Sequence, residues 1–533
     1  MLTKEKTTYL FFSLILISIV VFIIVLFRTA WVGDDAYITF RSVENFIHGY
    51  GPTFNIDERL QNFTHPLWFF LLSGLNAVTQ RIGALNAWGQ MYLVSVYLSM
   101  ALSLSAVLIV VFGIARSLKG ALLALIILTL SKVFVDYSTS GLENALSYFL
   151  LAVFLYIFLR AGPVSSWKLF WLALLAGLAT FNRMDTLLIY LPALAWVIWS
   201  FNPRFKALLL ALAGFVPFFL WEIFSVFYYG FPFPNTAYAK LNTGITRWAL
   251  IRQGFHYYAS SARLDPLILL ALAGAIVWFL WKGSSKARLI TVGVVLYLVY
   301  ILWIGGDFMG GRFFAVPLLA MVALLATQQY SSRLIYAGLV SGVLLIGLFN
   351  PRSPIRSRLD YGIEGLASPL LNIDGHGVAD ERAFYYPRMG LMSQLTEKAI
   401  PGSNYSGRKW VYDPNDAIRI KLVGLLGVIG YQFGPNVHVV DRFALADPLM
   451  PRLRLVNTQN WRIGHFKHVI PAGYLVTLQT GANQIEDPGL AAYYDKLRLM
   501  TRGDLWDRQR WVEIFKLNTG QYDHLIEAFN NNY

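Results

Sequence analysis

Apolar residues in this chain come in long, almost uninterrupted runs rather than at strand or surface-helix spacing. The runs fall at about 8–27, 91–115, 120–137, 142–159, 167–182, 184–201, 206–229, 266–282, 287–304, 313–329 and 333–349. At 1.5 Å per residue each comes near the length that crosses about 30 Å of hydrocarbon, so the pattern predicts a polytopic α-helical membrane protein with about eleven spanning helices. The stretch from Pro66 to Thr79 is too short for a crossing, and it is expected to lie in the interface or to re-enter from the outer side. After residue 350 the long apolar runs stop, charges rise, and short alternating segments such as His438-Val439-Val440 appear. The reading is therefore a transmembrane domain over 1–350, with an outer loop at 29–90, followed by an extracytoplasmic mixed α/β domain over 351–533.

Basic residues orient the helices. Lys4 with Lys6, Arg116 with Lys119, Arg160 with Lys168, Arg204 with Lys206, Lys282 with Lys286 and Arg288, and Arg333 fall in alternate connections, as cytoplasmic loops require. The first run follows Lys4 and Lys6 without a small-residue cleavage site, so it is read as a retained signal anchor. The expected arrangement is a multi-pass protein of the plasma (inner) membrane, with a cytoplasmic N-terminus and its C-terminal domain on the periplasmic side.

Composition agrees and removes several rivals. The chain is 56% hydrophobic and only 14% charged, more apolar than a water-soluble core of 533 residues needs. Its net charge of +14 is spread through short loops and the C-terminal region instead of one basic tract, which argues against a nucleic-acid partner. It has no cysteine, so disulfides, thiolate metal sites and thiol nucleophiles do not enter.

With this topology the unusual polar residues gather in the outer connections. Asp34 and Asp35 follow the first helix; Glu143 ends Ser140-Gly-Leu-Glu143; Arg183 and Asp185 occupy the turn Asn182-Arg-Met-Asp185. Asn235, Tyr238 and Lys240 lie in Pro234-Asn-Thr-Ala-Tyr-Ala-Lys240, and Asp307 and Arg312 in Gly305-Gly-Asp-Phe-Met-Gly-Gly-Arg312. Ionisable groups at the edge of hydrocarbon are costly, so their collection at one face points to a site. Carboxylates there suit proton transfer, and cations suit an anionic group such as the phosphate of a lipid-linked sugar. Each has a plainer reading as well. The acidic pair is also compatible with a solvated loop, although Trp31, Ala36, Tyr37, Ile38 and Phe40 around it make full solvation costly. Glu143 also suits a helix start, Arg183 and Asp185 a mutual ion pair, and the glycines around Asp307 a flexible turn. Lys132 and Asp136, four apart, read as a structural ion pair, and His65, His465 and His468 as hydrogen-bonding residues without metal-site spacing.

Four of these segments carry a resemblance. Asp-Asp-Ala-Tyr-Ile at 34–38, Gly-Leu-Glu at 141–143, Pro-Asn-Thr-Ala-Tyr-Ala-Lys at 234–240 and Gly-Gly-Asp-Phe-Met at 305–309 resemble the GT-C glycosyltransferase superfamily, and within it the AftB-type and TfpW-type arabinofuranosyltransferases. Val437-His-Val-Val-Asp441, Ala446-Asp-Pro-Leu449 and Trp461-Arg-Ile-Gly-His-Phe466 are similar to the outer domain of that group. The resemblance implies a GT-C fold, a polyprenyl-phospho-arabinofuranose or similar lipid-linked donor, and a polysaccharide or protein (pilin) acceptor. It also implies a catalytic carboxylate at Asp34 or Asp35. On this reading Arg183, Lys240 and Arg312 face the donor phosphate, while Glu143, Asp185, Asn235, Tyr238 and Asp307 line the donor site. Trp461 and His465 lie toward the acceptor. Glu143 and Asp307 also offer oxygen ligands to a divalent cation (Mg, Mn or Ca), although no ligand spacing identifies a metal site. The rival of another class is a transporter or flippase of lipid-linked sugar, which would place its charges near the bilayer midplane in two repeated halves. No repeat is visible here.

Overall fold

The structure is a computed structural model, and it describes residues 4–82, 90–241, 243–357, 372–397, 410–416 and 418–531. Each of the eleven apolar runs is helical. Four described helices, Lys4–Thr29 (over Thr8–Thr29), Gln90–Leu108 with its continuation to Ile114, Arg204–Tyr229 and Ser285–Ile304, are long and apolar enough to cross a bilayer unaided. The helices Arg247–Leu264 and Pro266–Lys282 pass the same test only as a pair and meet at 112°, a broken span or a re-entrant loop. Shorter apolar helices include Leu118–Leu130, Asn144–Leu159 and Arg333–Phe349. Leu208, Leu212, Leu220 and Ile223 on Arg204–Tyr229 are all more than half exposed, an arrangement that water would penalise and lipid would not.

The chain divides into two compact units that interleave along the sequence. The first takes Met1–Gly33, Tyr92–Phe218 and Arg247–Ala399; the second takes Asp34–Met91, Phe219–Thr246 and Ile400–Tyr533. The described residues of 351–397 therefore group with the apolar helices, and those from 410 onward with the segment after the first helix.

The first unit is a helical bundle. Its central helix, Ala315–Ala326, is apolar on every side and buries all of its residues but Leu325, as a helix without a solvent face must. Leu118–Leu130, Asn144–Leu159 and Pro266–Lys282 pack around it. Ser285–Ile304 lies close against Leu187–Ser200 because Gly293 has no side chain there: a Cβ would overlap the Ile189 carbonyl oxygen. The run read as 120–137 is not one helix. It stops at Leu130, and Ser131 caps the short helix Lys132–Asp136 through the Phe134 N–H. The break turns the charges of 132–136 into a buried network, where Lys132 binds Asp136 and also Asp380 (2.9 Å), while Arg382 reaches Asp136 at 2.6 Å. The expected pair exists, as one edge of four alternating charges.

The second unit is mixed. Strand β1, Arg419–Val423, runs parallel to β2, Val437–Asp441, with the helix Gly427–Phe433 between them; Arg419 is opposite Val437 and Val423 opposite Asp441. β2 is buried along its whole length, which suits a parallel strand covered on both faces. The helix Asp34–Ile47 packs on Gly427–Phe433 and on Pro66–Arg81. Pro488–Arg502, Arg508–Asn518 and His524–Asn531 surround a core that includes Phe231, Leu449, Tyr474, Leu490, Leu497 and Phe529.

Candidate active site

The expected site residues fall into two groups, one in each unit. In the first unit, the helix start at Asn144, the turn after Asn182 and the glycine-rich turn before Ala315 bring Glu143, Arg183, Asp185, Asp307 and Arg312 together. Arg183 grips Asp185 with two parallel bonds, 2.8 and 3.0 Å, and donates to Glu143 at 2.8 Å. Arg312 donates to both Glu143 oxygens, at 2.8 and 2.9 Å, and to Asn144 Oδ1 at 3.3 Å. Its contact with Asp307 is longer, 3.8 Å, and Asp307 also accepts the Phe308 N–H at 2.9 Å. The Arg183 guanidinium lies 4.4 Å from the Phe313 ring centroid. Glu143 is thus the hub.

Charge balance bears on the roles expected of Arg183 and Arg312. Three carboxylates face two guanidiniums, so the cluster carries one negative charge in excess rather than the positive field that a phosphate prefers. Such alternating donors and acceptors match the hydroxyls of a sugar better than a second anion. Among the described residues no group of three or more His, Asp or Glu is placed to hold a metal ion.

In the second unit, Asp34 and Asp35 open the helix Asp34–Ile47, where the helix dipole favours negative charge. Asp34 is buried, and its carboxylate accepts the backbone N–H groups of Gly427 (3.0 Å) and Val428 (2.9 Å) on separate oxygens. Gly427 is required here, since a Cβ would overlap the Asp34 carbonyl. Burial pushes the Asp34 pKa up to about 6, with Asp35 adding to the rise and the two N–H groups opposing it. Asp35 is only half-buried.

Asn235 is a fastener. Its side-chain amide donates toward the carbonyls of Ala444 (2.8 Å), Leu445 (3.2 Å) and Asp447 (2.9 Å), which holds the 444–447 loop and leaves that amide committed to backbone instead of a sugar. The Tyr238 ring lies tilted against Phe231, and the Arg452 guanidinium lies over both rings, 4.2 Å from Phe231 and 5.2 Å from Tyr238. Lys240 lies in the last turn of the helix Asn235–Leu241, which also carries Tyr238, close enough to His465 to disfavour a second positive charge. Burial first, then Arg462 and Lys240, push His465 down to about 3, so it is neutral at physiological pH. Half-buried Trp461 packs against Phe466, and His465 meets Phe443 edge-on. His65 pairs with Thr39 at 2.8 Å, and His468 faces the carbonyls of Leu453 (2.9 Å) and Ala239 (3.2 Å), the hydrogen-bonding roles expected of both.

Two buried features were not anticipated. Arg41 donates to the carbonyls of Phe54 (2.6 Å), Gly430 and Val437 (2.7 Å), tying Asp34–Ile47 to the parallel strands. His438 sits on β2 against Asp57, with both carboxylate oxygens within 3.0 Å of Nδ1; Glu58 lies 3.7 Å from Nε2, and Arg502 bridges the two acids at 3.1 and 3.2 Å. The dense charges of Asp57-Glu58-Arg59 were the only local hint.

Residues 84–221 match the family described as dolichyl-phosphate-mannose-protein mannosyltransferase. The chain is 28% identical to the terminal beta-(1->2)-arabinofuranosyltransferase of Mycobacterium tuberculosis, across 83% of this chain and 81% of that protein. The chain is a relative of glycosyltransferases. A protein of the same description from Corynebacterium glutamicum is 26% identical over 55% of this chain and 47% of its own length. No solved structure matches. The GT-C resemblance read from the sequence motifs is thus shared by a family match within the helical region and by relatives named as arabinofuranosyltransferases.

Proposed function

We propose that this membrane glycosyltransferase moves arabinofuranose from a polyprenyl-phosphate donor to a hydroxyl of a cell-surface polysaccharide or protein on the outer face of the plasma membrane. The observation that carries the reading is the Asp34–Asp35 pair. One carboxylate is fixed by two backbone N–H groups, and its neighbour at the same helix start is half-exposed. Asp35 is assigned as the general base and Asp34 as the residue that positions it. Asp35 takes the proton of the acceptor hydroxyl while that oxygen bonds to the anomeric carbon; the bond from that carbon to the phosphate oxygen breaks, and the phosphate leaves with the electron pair. Lys240 is assigned to the phosphate, and the Glu143, Arg183, Asp185, Asp307 and Arg312 cluster to sugar hydroxyls. Trp461 and His465 offer a ring and a neutral imidazole to a glycan acceptor. The relation to the mycobacterial protein over four fifths of both chains supports the choice of sugar.

Purified protein in nanodiscs, given radiolabelled polyprenyl-phospho-arabinofuranose and an arabinan acceptor, should form a labelled glycan, and Asp35→Asn should slow its formation by about 10²-fold or more. Movement of the intact donor across proteoliposomes without bond cleavage would instead support the transporter reading. Cleavage of other prenyl-phospho sugars in preference would keep the reaction and replace the sugar.

A further inference from the structure

The helix Arg508–Asn518 carries apolar residues on two faces: Ile514 and Leu517 pack into the core, and a second set faces outward. Its buried positions are Arg510, Glu513 and Ile514, while Trp511 (38% exposed), Val512 (40%) and Phe515 (62%) face outward at helical spacing, next to Trp506 at 77%. In water the apolar side of such a helix turns inward. The buried polar groups explain what holds it. Arg510 donates to the carbonyls of Phe227 (2.9 Å) and Tyr228 (3.0 Å), and Asn518 to that of Gly230 (2.7 Å). Those carbonyls belong to the last turn of Arg204–Tyr229 and the residue after it, where a helix has backbone acceptors without intrahelical partners and where its dipole favours a cation. Arg510 also donates to Met500 (2.9 Å), and Gln509 to Glu513 (2.6 Å).

This anchorage sets the depth of the exposed face. Arg204–Tyr229 is 26 residues long and apolar enough to cross a bilayer, and near its end Leu220 (60% exposed) and Ile223 (67%) face outward. From there the apolar surface continues through Phe227, whose ring lies 5.3 Å from Trp506 and 5.8 Å from Trp511. Arg508 and Lys516 are the basic groups of the helix surface, while Asp504 and Asp507 accept the Trp506 and Gln509 N–H groups at its N-terminal end. We propose that Arg508–Asn518 and the preceding Trp506 form a membrane-surface anchor, with Trp506, Trp511, Val512 and Phe515 seated at the boundary of lipid headgroups and acyl chains. Tryptophan and phenylalanine beside basic residues are the composition that such a depth favours. The occupant is the bilayer that already surrounds the span, because the two surfaces are continuous. The proposal depends on the span and not on the sugar chemistry.

The absence of native cysteine makes the test direct. Val512→Cys and Phe515→Cys, each spin-labelled in the full-length protein in phosphatidylcholine vesicles, are compared with Thr480→Cys, an exposed residue of the helix Tyr474–Thr480. Labels at 512 and 515 should collide more often with oxygen, which concentrates in lipid, than with a water-soluble nickel chelate, and the label at 480 should show the reverse. Aqueous behaviour at 512 and 515 overturns the proposal. Shielding of both labels from both reagents overturns it too, because a protein surface would then cover the face.

Discussion

The Glu143 carboxylate holds Arg312 through both of its oxygens, at 2.8 and 2.9 Å, and shares one of them with Arg183. The acid is 1% exposed, so its charge is stabilised by these guanidiniums rather than by water. Glu143→Gln keeps the shape and removes the charge: Arg183 retains Asp185, but buried Arg312 loses its close carboxylate and is left with Asp307 at 3.8 Å. Breaking such a pair costs about 3–5 kcal/mol, and the variant should melt well below wild type in a thermal unfolding assay in detergent. An unchanged melting temperature would show that the cluster is solvated.

Arg312 tests whether shape or charge matters at this site. A phosphate-facing cation would tolerate lysine, since the charge survives. Here Arg312 reaches Glu143 and Asn144 through different nitrogens of one planar group, which a single ammonium cannot reproduce. Arg312→Lys should therefore lose transfer activity almost as fully as Arg312→Ala. Near-wild-type activity of the lysine variant would return Arg312 to the phosphate.

The two aspartates should separate by assay. Asp35→Asn is expected to fold normally and lose about 10²-fold or more in turnover, the scale for removing general-base assistance. Asp34→Asn should instead lower stability by about 1–3 kcal/mol, because an amide cannot accept both the Gly427 and Val428 N–H groups as the carboxylate does. A stable Asp34→Asn protein without activity, beside an active Asp35→Asn protein, would exchange the two roles.

What the sequence made legible follows the range of each interaction. Long apolar runs form helices by local rules, so all eleven runs are helical, the one at 120–137 as two helices, and the partners in Arg183–Asp185 and in Lys132–Asp136 are each within about one helical turn in sequence. The partners of Asp34 are 393 and 394 positions away, and Asp57 is 381 from His438, so nothing local announces them. For the same reason the boundary at 350 differs from the observed grouping: the loop 34–91 finds its packing partners beyond residue 400. Asn235 stands in a legible motif, yet its three carbonyl partners at 444–447 are tertiary. Trp511 and Phe515 mislead in a different way, since helical periodicity alone would turn them inward.

The buried charges around His438 give a pH dependence whose sign is fixed. Burial disfavours the imidazolium, but Asp57 and Glu58 outweigh it, with Arg502 opposing them, so the His438 pKa is raised above the ordinary 6.5. Asp447 also feels the imidazolium's charge. A raised pKa means that the protonated histidine contributes stability in full below the ordinary value, and that this contribution is lost as pH climbs through the folded-state value. Asp57 behaves oppositely: its pKa is lowered, so its contribution is present above the ordinary 3.8 and stays constant in the neutral and alkaline range. Melting curves of wild type and His438→Gln should therefore differ most on the acid side of 6.5 and converge as the solution is made alkaline. Since His438 joins β2 to the 55–58 segment and to the end of Pro488–Arg502, the loss should appear in unfolding of the second unit, followed by labels at exposed sites such as residue 480. A gap that is independent of pH would mean that His438 is neutral throughout and that Arg502 alone balances the two acids.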